Sequence, residues 1–268
     1  MRIAVYTFGL VLAMIPAAAM AQMPLHTVDR VVIDPGHGGD DLGTEGHGVQ
    51  EKDLVLQMSL DLAAALRAAY PGLEVVLTRD SDTYPTLEER THLANLLEAD
   101  LFISVHANAA PNLQAHGIET FFLAAEGTAP GQVTPGQEDL GPTVIDTEVG
   151  VTGDVHALIV HDLHRQGALR GSARLADVVQ ATLVDATGAL DRGVRTGQFR
   201  VLRGAMMPAV VVETGFLSNE DEGSRLLTAD YQQQIIDGLV RAVATYDEGQ
   251  YAVAQQWQLS AERLALGE

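Results

Sequence analysis

The chain has 268 residues, no cysteine and a formal net charge of −20, from 36 acidic against 16 basic side chains. Such acidity argues against nucleic acid or an anionic membrane as a partner, and the lack of cysteine leaves neither a disulfide frame nor a thiolate metal site. With 47% apolar residues, this length suits one large domain with a full core.

Residues 1–21, MRIAVYTFGLVLAMIPAAAMA, hold a single charge at Arg2, an apolar run from Ile3 to Ile15 and a closing Ala19-Met20-Ala21. That is the pattern of a cleaved secretory signal; an anchor would need about 20 consecutive apolar residues. The expectation is an exported protein, periplasmic or extracellular and associated with the cell wall, with no transmembrane segment after cleavage. Loss of Arg2 then takes the charge from −20 to −21.

From Asp29 onward, strands alternate with helices. RVVIDP reads as a strand, and residues 51–70 as a helix with apolar positions at Leu54, Val55, Met58, Leu62 and Leu66. LEVVLTR is a second strand, and TLEERTHLANLLEA a second helix that Thr86 and Glu89 open in capping-box spacing. DLFISVHA and GIETFFLA follow as strands. Residues 127–153, rich in Gly and Pro, read as a loop insertion. Two helices are expected at residues 154–167 and 172–186, then strands FRVLR and PAVVVET, and a closing helix over residues 229–246. The pattern predicts a single α/β domain at residues 29–247, a mixed, mostly parallel sheet with helices on both faces, followed by a C-terminal tail at residues 248–268.

In such sheets ligands bind beyond the carboxyl ends of the strands. The first strand ends at Asp34 and delivers His37, inside the glycine-fenced stretch DPGHGGDD. FISVHAN ends on His106, PAVVVET carries Glu213, and Glu51 opens the first long helix. Two neutral imidazoles and a carboxylate make a catalytic zinc set with an open fourth position, and a further carboxylate beside it can carry a proton. The zinc site is therefore expected at the carboxyl edge of the sheet.

VVIDPGHGGDDLGTEGHGVQEKDLVL, LTRDSDTYPTLEERTHLAN, ADLFISVHANA, GIETFFL and MPAVVVETGFLSNEDE together resemble the zinc-dependent N-acetylmuramoyl-L-alanine amidases of the amidase-3 type, which are bacterial cell-wall hydrolases. The resemblance covers residues 31–246. It implies one zinc per chain held by His37, Glu51 and His106, with Glu213 as the catalytic carboxylate. It implies peptidoglycan as substrate, cut between N-acetylmuramic acid and the L-alanine of the stem peptide in wall remodelling and daughter-cell separation. The glycines around His37 are then expected to keep bulk away from a metal that a polymer must reach.

Asp34 is a candidate to orient a ligand histidine, or else to cap its own turn, and Asn108 a candidate to touch substrate. Arg90 and Asn95 are expected to link helix to sheet, and His47 to be an exposed loop histidine. In some relatives of this type, a helix plugs the zinc until an activator protein removes it. Here Pro130, Pro135 and Pro142 disfavour a long helix between residues 127 and 153. A weak lid is expected instead, with Asp146 or Glu148 able to reach the metal. Two alternatives stand beside this reading: a zinc carboxypeptidase-like peptidase acting on wall peptides, and an inactive wall-binding regulator. The first would need a fixed cation, and residues 91–164 contain no Lys or Arg against ten acidic residues.

Overall fold

The computed structural model describes residues 27–123 and 155–266. Its elements begin with strand β1 (Arg30–Pro35), the short hairpin β2 (Glu45–Gly46) and β3 (Val49–Gln50), helix α1 (Glu51–Ala69) and strand β4 (Glu74–Leu77). Helix α2 (Leu87–Leu96), β5 (Leu101–Asn108) and β6 (Ile118–Leu123) follow. After them come α3 (Val155–Thr187), β7 (Asp191–Gly197), a 3-10 turn at Arg200–Leu202, β8 (Ala209–Phe216), α4 (Glu220–Leu226) and α5 (Ala229–Leu266). Six strands form one sheet in the order β4-β1-β5-β8-β6-β7. The first four run parallel; β6 is antiparallel to β8 and parallel to β7. This is the expected single α/β domain with a mixed, mostly parallel sheet.

The connections explain where a site can form. From β1 the chain passes through α1 to β4 on one side, then through α2 to β5 on the other, so the strand order reverses between β1 and β5. A crevice opens at such a switch point because the two crossovers lie on opposite faces. α1 packs its buried Leu54, Met58, Leu62 and Leu66 with Val31, Ile33, Ile103 and Val210, in a core that α3 and α5 share. Val32, Phe102 and Val211 point to the other face, where α2 and the 3-10 turn supply Ala94, Val201 and Leu202. Every second residue of a strand changes face, which divides these sets.

α2 opens with the expected capping box: Glu89 N–H donates to Thr86 Oγ1 at 3.2 Å, and Thr86 N–H to Glu89 Oε2 at 2.8 Å. Other expectations need correction. Residues 154–187 do not divide into two helices; α3 runs through Gly167 and Gly171. Gly171 is required for packing, since a Cβ there would meet the Pro208 ring at 2.6 Å. FRVLR is not a strand. Phe199, Val201 and Leu202 are buried around the 3-10 turn, with Phe199 against Phe121 at 5.0 Å between ring centroids. The strand lies just before it, in polar DRGVRTG, which an edge position tolerates. The closing helix continues beyond Tyr246 to Leu266, through the tail. The signal at residues 1–21 and the loop at 127–153 lie outside the described residues.

Candidate active site

β1 delivers the loop that carries His37, whose φ of +59° lies in the left-handed region. A residue with a Cβ enters that region at a cost of about 1–2 kcal/mol. Three cations beneath the loop hold its carbonyls in place. Arg90 donates to the carbonyls of His37 at 2.7 Å and Pro35 at 2.8 Å. Arg79 donates to those of Gly36 at 2.6 Å and Pro35 at 3.0 Å, and Lys52 Nζ to that of Gly39 at 2.9 Å. All three are buried. Buried carbonyls need donors, and charged donors make the stronger bonds. Asp41 fixes the ring itself, with Oδ1 at 2.9 Å from His37 Nδ1, which leaves Nε2 facing inward.

Glu51, the first residue of α1, meets both imidazoles. Its Oε1 lies 3.2 Å from His37 Nε2 and 3.1 Å from His106 Nδ1. The Ala107 N–H donates to Oε1 at 3.0 Å and the Thr44 N–H to Oε2 at 2.9 Å, so the carboxylate cannot swing away. The two rings meet edge-on, 4.9 Å between centroids. His37, Glu51 and His106 each offer a ligand atom, all within 4.8 Å of one another, and can hold a metal ion. The two separations from Glu51 Oε1 match one: ligands at 2.0–2.1 Å around a tetrahedral centre stand about 3.3 Å apart. Without a metal, burial presses the His37 pKa down, but Glu51 and Asp41 outweigh it and raise it to about 9. Burial raises the Glu51 pKa, and the two imidazoles overcome that and lower it.

Gly36 and Gly43 serve this packing. A Cβ on Gly36 would run into the His106 imidazole, and one on Gly43 would meet Glu51 Oε2 and His37 Cδ2, both at 2.7 Å.

Glu213 stands beside His106 in the β5–β8 register and opposite Glu119 in the β8–β6 register, on the face that α2 covers only in part. The strand alternation puts His106, Glu213 and Glu119 in a row across neighbouring strands. Glu119 is fully buried, its Oε1 accepting from Asn108 Nδ2 at 2.6 Å and its Oε2 lying 3.1 Å from Arg192 Nε and 3.4 Å from Arg195 Nε.

The structure thus gathers His37, Glu51 and His106 at the carboxyl edge, with Glu213 one strand away. Asp34 is elsewhere engaged: its oxygens take Thr78 Oγ1 at 2.5 Å, Arg90 Nη1 at 2.9 Å and Ser104 Oγ at 2.7 Å. It orients Arg90, and the carboxylate on Nδ1 of the His37 ring is Asp41. Burial raises the Asp34 pKa, yet Arg90 and the two hydroxyls bring the net below the ordinary value. Asn108 is buried with its amide on Glu119, rather than presented to solvent. Arg90 braces the His37 loop directly, while Asn95 ties residues 204–206 through Gly204 O and Met206 N. His47 is exposed, its Nε2 at 3.0 Å from the Asn219 carbonyl. Asp146 and Glu148 lie outside the described residues. β6 ends at Leu123, which its antiparallel register with β8 places at the edge opposite the cluster.

Arg79, Lys52, Asp41 and Glu119 escaped the sequence reading. Their only signal was a place inside the quoted motifs, since the contacts span up to 76 positions, from Glu119 to Arg195.

The N-acetylmuramoyl-L-alanine amidase family model matches residues 31–245. The chain belongs to the N-acetylmuramoyl-L-alanine amidase family. It is 32% identical over 209 residues to the sporulation-specific N-acetylmuramoyl-L-alanine amidase of Bacillus subtilis, covering 78% of this chain and 64% of that protein. To the amidase AmiA of Escherichia coli it is 30% identical over 219 residues, 81% of this chain and 75% of that one. Among solved structures, the N-acetylmuramoyl-L-alanine amidase from Clostridium difficile 630 superposes with a TM-score of 0.63 at 34% identity, over 82% of this chain and 97% of that one. The amidase is thus an enzyme of peptidoglycan hydrolysis, acting on the bond between N-acetylmuramic acid and L-alanine. Among the described residues, no helix of the amidase is long and apolar enough to cross a membrane.

Proposed function

We propose that the amidase binds one zinc ion through His37 Nε2, Glu51 and His106 Nδ1, and that Glu213 carries the proton in amide hydrolysis. The observation that supports this most is the spacing of the three ligand atoms, with Glu51 Oε1 at 3.1–3.2 Å from both ring nitrogens. Zinc in that position would supply a water of pKa about 7 and polarise the scissile carbonyl. Asp41 holds His37 in the tautomer whose Nε2 is free to bind metal, as partners behind ligand histidines commonly do. Glu213, adjacent to His106 across the sheet, takes the proton from the attacking water and returns it to the departing L-alanine nitrogen. The glycan strand and the stem peptide then separate. The chain reaches its polymer outside the cytoplasm through the signal at residues 1–21.

Glu213→Gln tests the assignment. General acid–base catalysis typically contributes about 10² to 10⁴ in rate, so dye release from labelled sacculi should fall on that scale while plasma emission still finds one zinc per chain. A drop of less than tenfold would remove Glu213 from the reaction, and loss of zinc would place it among the ligands.

A further inference from the structure

The row of side chains that starts at the metal cluster continues past Glu213 and ends in two cations. Glu119 is paired with both Arg192 and Arg195, although one arginine suffices to neutralise one carboxylate. Arg192 is engaged on three sides: its Nε faces Glu119, its Nη1 donates to the His116 carbonyl at 3.3 Å, and its guanidinium lies 4.7 Å from the centroid of the Phe216 ring. Arg195 is different. Only its Nε is engaged, at 3.4 Å from Glu119 Oε2, and among the described residues its two Nη groups have no partner. Its side chain is 30% exposed, and its Cα stands opposite Phe121, on the same face as Glu119 and Glu213. The trio carries a net charge of +1 on a protein of −20. A guanidinium held at Nε presents its Nη pair as a fork that matches a carboxylate.

From these contacts, and resting on the amidase reading above, we propose that Arg195 binds a free carboxylate of the departing stem peptide. The anion belongs to the peptide, because the N-acetylated glycan offers no carboxylate besides the acyl group under attack. The reach agrees. β7 lies two strands from β8, about 10 Å at the spacing of neighbouring strands. Two to three extended residues beyond the scissile bond span about 7–10 Å. The peptide would leave across β8 and β6 toward β7, with its second or third residue at Arg195. Long-range repulsion from the acidic surface is screened beyond about 8–10 Å in physiological salt, so a local cation can decide the contact.

The test uses the zinc-loaded enzyme and three muramoyl tripeptides: one with free carboxylates, one amidated at the second residue and one amidated at the third. Hydrolysis is followed by chromatography to give kcat and KM separately. The wild-type enzyme should cleave all three, with one amidation raising KM about tenfold, as for a charge-assisted hydrogen bond partly open to solvent. The position at which amidation acts identifies which carboxylate is bound. Arg195→Ala should bring the ratio between free and amidated substrates toward one, and Arg195→Gln makes the same comparison should the alanine variant not fold. A wild-type enzyme indifferent to both amidations, or a variant that keeps the full ratio, would overturn the subsite and leave the amidase reading intact. No cleavage of any of the three by the wild-type enzyme would overturn the amidase reading itself, and the subsite with it.

Discussion

The two faces of the central sheet are built to different ends. On one, α1, α3 and α5 bury a continuous apolar surface, with Leu62, Leu66, Leu175 and Ile235 essentially inaccessible. On the other, the short α2 and a 3-10 turn cover only Val32, Phe102, Phe121 and their neighbours, and the carboxyl half of that face is given over to Asp34, Ser104, His106, Glu213 and Glu119. The first face gains from area removed from water, without direction. The second holds buried charge, which is tolerated only where each group has a partner. The covered face should therefore govern stability alone, whereas the open face should couple stability to the metal site. Its chemistry rests on a folded stack: Asp34 under Arg90, Arg90 under the His37 loop, and His37 at the cluster.

The largest expected effect breaks that stack at its base. Asp34→Asn leaves the Arg90 charge buried without its carboxylate, and breaking such a pair typically costs about 3–5 kcal/mol. Urea unfolding should show a loss in that range, with weaker zinc binding in the folded fraction; a loss below about 1 kcal/mol would mean the stack does not bear on stability. Leu62→Ala probes the opposite face and should cost about 2–5 kcal/mol. Below its unfolding transition, however, that variant should keep its zinc and its kcat, and a large fall in kcat would deny the division between faces. Gly36→Ala sharpens the comparison most finely. The new Cβ displaces the His106 ring, and a misplacement of about 1 Å can cost about 10² in rate, or about 2.7 kcal/mol. Zinc titration should show weakened affinity with the far-UV circular dichroism unchanged; full affinity and full rate would show that the ring has room to spare.

The stretches that carry chemistry were legible because each is local. VVID must be a buried strand, Leu54, Met58, Leu62 and Leu66 recur at the helical period, and Thr86 with Glu89 marks a helix start within four residues. His37, Glu51, His106 and Glu213 were legible as a set because strands of an α/β sheet end at a common edge. Polar DRGVRTG was not legible as a strand, because an edge strand needs a neighbour to pair with more than an apolar sequence. Gly167 and Gly171 could not announce a continuous helix either, since the reason for Gly171 is the Pro208 ring 37 positions away.

By itself, then, the sequence determined the succession of elements, the residue types at the strand ends and the chemistry open to them, all of which depend on neighbours in the chain. Only the tertiary structure decided that Asp41 rather than Asp34 faces the His37 ring, that Arg79, Lys52 and Arg90 converge beneath one loop, and that Arg192 and Arg195 share Glu119. It also placed the end of β6, at Leu123, on the far edge of the sheet, because β6 runs antiparallel to β8. Strand direction and register fix such contacts, and they follow from how the whole chain crosses over the sheet rather than from any short stretch of it.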